Sequence, residues 1–361
     1  MNRIIKNIKA VCTTMLAAGM LGACSMMEDD QSDCPTGLYV SFKYDYNLQR
    51  ADMFKDHVGS VTVYVFDEQG RFVTKQTEEN KYGEEPLKKY GYQMNIKNLP
   101  DGKYQLMAFA QQKPYADTSA EGANFVVSEP KKGDGMEALH ARLDRTTLRS
   151  DGPTAMVDNK GVSLDTLWNG FNTHFVEVCS ARPSYDTISL VRDTKMLTVT
   201  LRHLDADKQA DISTDDFEVY IDDNNGWINH DNSLREDEDL RYTPFRMWET
   251  DFKNENGEVV QRAAHFGLMF SRLMYYAEAE KNALLVIRNK ESQEEVAVIN
   301  LSDCLAQGRN AVDYMRYSQQ EFLDREYNYS LDFFLQGNHW KYVDLRISIL
   351  SWSKRIQNVE L

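Results

Sequence analysis

The chain has 361 residues, 11% of them aromatic, and a formal net charge of -15. Its length exceeds the size at which one core usually continues to grow, so two domains are expected. The acidic balance leaves no electrostatic route to nucleic acid or anionic lipid, and the aromatic content argues against disorder.

Residues 1–23 carry Arg3, Lys6 and Lys9 ahead of a weakly apolar stretch from Ala10 to Ala23, too short to span a bilayer. This reads as a secretion signal, and Leu21-Gly22-Ala23-Cys24 resembles the lipobox of bacterial lipoproteins, which makes Cys24 the expected lipidation site. Each buried acyl CH₂ is worth about 0.8 kcal/mol, so one multiply acylated cysteine can hold a protein to a membrane. Losing the leader takes the formal charge from -15 to -18. Glu28, Asp29 and Asp30 follow the cysteine and resemble the signal that exports lipoproteins of the Bacteroidota to the outer face of the outer membrane. The twelve residues Ser25 to Thr36 form a tether that could extend roughly 40 Å.

Alternation begins at "LYVSFKYDYN", which puts Leu38, Val40, Phe42, Tyr44 and Tyr46 on one face of a strand. "SVTVYVFDEQGRFV" predicts a hairpin turning at Asp67 to Gly70. "YQMNIKNLPDGKYQLMAFA" predicts another, with Pro100 presetting the turn and Gly102 supplying a positive φ. Residues 113–172 are poorer in apolar periodicity and read as a long surface connection with one strand near "EALHARL". Order returns with "HFVEVCSA" and with "TISLVRDTKMLTVTLRHL", where Leu197, Val199 and Leu201 alternate with polar residues.

The expected division is 37–188 for the first domain and 189–361 for the second, with the boundary between Thr187 and Asp193. In the second half "DFEVYIDDN", "HFGLMFSRL", "ALLVIRN" and "EVAVINL" read as short strands, and Ser318 with Glu321 forms the capping box of a short helix. The final run alternates on both sides of Gln336-Gly337-Asn338. The expected fold is all-β, two stacked sandwiches.

Beyond Cys12 and Cys24, three cysteines remain, enough for at most one disulfide within the chain. Spacing does not choose the pair; Cys34 with Cys179 is the working expectation because both border strands of the first domain, and without a CxxC pair no structural zinc is expected. No HExxH, GxSxG or glycine-rich phosphate loop occurs, so neither an enzyme nor a cofactor is expected. The run 205–216 sets Asp205, Asp207 and Asp216 near calcium-loop offsets but has Ala210 where glycine is needed. His230 reads as a surface-loop histidine. Trp168, Trp227, Trp248, Trp340 and Trp352 leave open a surface glycan-binding lipoprotein of a nutrient-uptake system.

Taken together, the lipobox, "DCPTGLYVSFKYDYN", "DHVGSVTVYVFDEQGRFV", "NLPDGKYQLMAFA" and the ending "YSLDFFLQGNHWKYVDLRISILSWSKRIQNVEL" resemble the FimB-type fimbrial anchor family of Bacteroidota across essentially the whole mature chain. The resemblance implies two tandem transthyretin-like β-sandwiches and a lipid-anchored place at the base of a fimbria. It also implies fimbrial stalk pilin subunits as partners, joined by strand exchange. The first strand is continuous with Cys24, so its removal would sever the lipid; it is expected to stay in place. The terminal segment "KRIQNVEL", with Ile356, Val359 and Leu361, is the candidate donor or else the completion of the second sandwich. A stalk or tip subunit of the same fimbria is the other reading, with Lys43 and Arg50 as the available basic cleavage points.

Overall fold

The computed structural model describes residues 36–113, 124–147, 155–157, 159, 161–347 and 353–357. The architecture is all-β, with two sandwiches in tandem. The first strand, Leu38–Lys43, turns Leu38, Val40 and Phe42 inward, and Tyr44 continues the same face into the core. It is the middle strand of a three-stranded sheet, parallel to Ser184–Ser189 and antiparallel to Met94–Ile96. Across the core lies a broad sheet ordered Val191–Arg192, Leu167–Phe171, Gly102–Gln111, Ser60–Asp67, Phe72–Glu79. The hairpin expected at Asp67 to Gly70 forms: Asp67 Oδ1 accepts the N–H groups of Gln69 and Arg71, and Gly70 takes a φ of 72°.

The second expected hairpin does not form. Met94–Ile96 pairs with the first strand, whereas Gly102–Gln111 belongs to the broad sheet, so Pro100-Asp101-Gly102 carries the chain across the sandwich. Alternation shows that a strand has a buried face but not which sheet it joins. Leu99 and Tyr104 are buried, with the Tyr104 hydroxyl donating to the Pro100 carbonyl at 2.9 Å, and the positive φ falls on Asn98 (61°) rather than Gly102.

The stretch read as a surface connection is also structural. Phe125–Ser128 and His140–Leu143 pair with each other, and Trp227–Asn229 from the second half completes a cover sheet. Phe125, Leu139, Ala141 and Leu143 pack in one cluster with Tyr64, Phe66, Met107 and Phe109 from the outer face of the broad sheet. Ala155–Met156 runs parallel to Leu240–Tyr242 in the second sandwich. Strands of two to four residues between glycine- and lysine-rich turns carry too few repeats for a period to be legible.

Val191–Arg192 is the last pairing within the first sandwich, and Lys195 opens the central strand of the second. The C-terminal sheet is ordered Arg246–Lys253, Val259–Phe270, Lys195–His203, Asn328–Gln336, His339–Ile347, Ser353–Gln357. Leu197, Val199 and Leu201 face Phe217, Val219 and Ile221 of the opposing sheet through a shared core. The hairpin at Gly337-Asn338 forms as expected, Gln336 opposite His339 and Gly337 at a φ of 61°.

Three short helices, Leu301–Ala306, Ala311–Arg316 and Gln319–Arg325, stand where one was expected. "EVAVINL" leaves the strand at Asn300, whose side chain accepts the Asp303 N–H and caps the first helix. Ser318 caps the third by accepting the Glu321 N–H at 3.1 Å, but the box does not close because the Glu321 carboxylate accepts from Arg325 instead. Closed boxes form at Asn310 with Asp313 and at Ser213 with Asp216.

Candidate assembly site: the first strand, the junction and the open edges

A strand held on both sides by main-chain pairing cannot leave without exposing two neighbours. Leu38–Lys43 is such a strand, with six residue pairs to Ser184–Ser189 and three to Met94–Ile96. Phe42 stacks on Phe54 at 5.3 Å, and Tyr44 meets Trp168 edge-on at 5.8 Å. Lys43 is its exposed last residue, and Arg50 donates from Nε to the Tyr317 hydroxyl of the second half at 2.9 Å.

Beyond that strand lies the junction, where the run Arg192-Asp193-Thr194-Lys195 is buried. The Arg192 guanidinium lies over the rings of Tyr327 (4.1 Å) and Trp168 (5.4 Å). Lys195 Nζ donates to the carbonyls of Asp324 and Glu326, both at 2.9 Å, and Arg272 makes a paired contact with the Asp324 carboxylate at 2.7 and 2.9 Å. Asp193 is fully buried; burial pushes its carboxyl above the usual carboxylate range, against the opposing pull of Arg272, Lys195 and the neighbouring Asn232 side chain. No sequence motif pointed to this cluster, although four polar residues interrupting two strand patterns are a visible signal of a crossing point.

Open sheet edges are where main-chain donors and acceptors remain for another strand. Ser353–Gln357 forms one edge of the C-terminal sheet, pairing antiparallel with Tyr342–Arg346 and setting Ile356 opposite Val343. Val359 and Leu361 lie outside the described residues, as do Cys24 and Cys34. The other edge, Arg246–Lys253, exposes Met247 and Phe252. Cys179 is partly exposed beside Arg182, and Cys304 is buried on the first of the three helices.

The four tryptophans among the described residues are engaged within the fold. Trp168 is buried; Trp227 carries Arg235 at 4.6 Å and Arg142 at 5.0 Å; Trp248 stacks on His265 at 4.9 Å beneath Arg246; Trp340 packs on Phe333. Trp352 lies outside the described residues. His230 packs edge-on to Phe171 at 6.0 Å. The acidic run 205–216 is not drawn together: Asp205 accepts the Gly337 N–H and Asp216 the Ser213 N–H, and among the described residues no group of three metal-ligating side chains converges. Nor is any helix there long and apolar enough to cross a membrane.

The family model of the fimbrillin-A associated anchor proteins Mfa1 and Mfa2 matches residues 31–358, and the chain belongs to that family. A candidate adhesin of Bacteroides thetaiotaomicron is similar in structure, with a TM-score of 0.71, 26% identity, and coverage of 90% of this chain and 99% of that one. A candidate polysaccharide-binding protein of the same organism gives 0.67 and 30% over the same shares. The fimbrial anchor protein Mfa2 of Porphyromonas gingivalis shares the fold, with a TM-score of 0.57 and 15% identity over 89% of this chain and 99% of that one. No curated protein matches. The chain is thus a member of a family of fimbria-associated structural proteins.

Proposed function

We propose that this protein is an outer-membrane lipoprotein, facing the cell exterior, that anchors a fimbria through the lipid on Cys24 and joins a stalk pilin by β-strand exchange. The observation that carries the reading is the first strand, fixed mid-sheet by pairing on both sides, in a chain of the fimbrial anchor family. A pilin whose first strand is released opens a groove; a strand paired on both sides and continuous with the lipidated residue keeps its groove filled. Residues 353–357 pair within the second sandwich's own sheet as an edge strand, so exchange falls to an edge, and the donor we favour is the terminal segment 354–361, with Ile356, Val359 and Leu361, because its described part, 354–357, leaves one side open for a further strand. A disulfide between Cys34 and Cys179 would fasten the root of the tether to the first sandwich. The engaged tryptophans argue against a glycan platform.

The test is binding of the purified pilin to the mature chain with and without residues 354–361. Loss of binding by a folded, secreted variant is expected. Undiminished binding by that variant would remove the terminal segment as donor.

A further inference from the structure

Resting on the anchor reading, we infer that the first strand is a mechanical clamp, arranged so that tension between lipid and fibre loads it in shear. The residues before Leu38 lead to the membrane, and the strand runs from Leu38 to Lys43 with its far end against the junction. Immediately beyond that end, Arg325 lies over the Tyr46 ring at 4.0 Å and Arg50 reaches Tyr317, both partners belonging to the second half.

Its parallel neighbour, Ser184–Ser189, runs toward the same junction and continues through Leu190 to Lys195 into the central strand of the second sandwich. The Leu190 N–H donates to the Lys43 carbonyl at 2.8 Å, so the two strands are registered up to the point where the second one leaves.

Tension enters the first strand at Leu38 and leaves its neighbour beyond Ser189. The two parallel strands are therefore pulled from opposite ends. In that geometry the six residue pairs to Ser184–Ser189 share the load and must slip together, and the three pairs to Met94–Ile96 resist the same sliding. If the load entered and left at the same end, pairs would open one after another at much lower force. Forced unfolding is governed by the barrier to rupture rather than by equilibrium stability, so this topology protects an anchor under pull without requiring a more stable fold. The buried side chains Leu38, Val40, Phe42 and Tyr44 add to the barrier, because sliding by two residues drags each one through the core before it finds another inward position.

The test is single-molecule pulling of the mature chain in reducing buffer, with one handle at position 24 and the other at one of two exposed residues. A handle on Asp207, past the end of the strand Lys195–His203, loads the clamp in shear. A handle on Lys97, which follows Ile96 opposite Leu38, pulls the first strand and Met94–Ile96 apart from one end. The first rupture in the shear geometry is expected at a force severalfold higher than in the second. Equal or lower force would overturn the clamp. Because the measurement involves no fimbria, that outcome would leave the anchor reading to be decided on cells.

Discussion

At the scale of single residues the most consequential group is Asp193. Its carboxyl is raised by burial, so the folded chain holds that proton more tightly than the unfolded one. Stability from this group is therefore full at low pH and is lost as pH rises above the ordinary carboxylate range. Asp193→Asn should remove that loss: in denaturant unfolding, the variant gains on the wild type between about pH 4 and about pH 8. A constant difference across the range would contradict the account. Phe42, buried and stacked on Phe54, should cost about 3–5 kcal/mol when truncated to alanine, read from the same unfolding curves. Phe42 was legible from alternation alone, because a half-buried strand writes its inward face every second residue. Asp193 was not, since its meaning depends on Arg272 and Lys195, and Arg272 arrives from a distant strand end.

Among the elements, hairpins with a glycine at the turn were readable and the crossing at Pro100 to Gly102 was not, because both have the same local grammar. The decisive difference is a partner 50 or more residues away. Helices suffered likewise: Asn300 reads as the end of "EVAVINL" until its side chain is seen capping a helix. The contact between the first sandwich's sheets offers a sharper test. A Cβ on Gly170 would lie 2.4 Å from Ile188 Cγ2 and 2.9 Å from Leu190 Cδ2, on the segment that neighbours the first strand. Gly170→Ala should therefore destabilise the fold by about 1–3 kcal/mol through overpacking. An unchanged denaturation midpoint would show that the segment 184–190 yields freely.

For the whole molecule, the cover sheet alters what two sandwiches mean. It takes Phe125–Ser128 and His140–Leu143 from before the junction and Trp227–Asn229 from after it, and the hydrophobic cluster runs without a break from Tyr64 to Phe333. Asn169 of the first sandwich donates to the His230 carbonyl at 3.2 Å, adding a polar tie. Thermal unfolding should accordingly follow one cooperative transition; two separated transitions would show that the sandwiches are energetically independent. The all-β class and the first strand were legible from periodicity, but the interlock was not, because it is made by strands too short to show a period. One body of this kind suits a protein that transmits tension between its ends.

The anchor claim itself is tested most directly by comparing fimbriae on cells and in the medium for wild type and Cys24→Ala, with secretion of the variant checked. Fimbriae shed into the medium by the variant are expected. Fimbriae unchanged in amount, length and attachment would contradict the anchor claim.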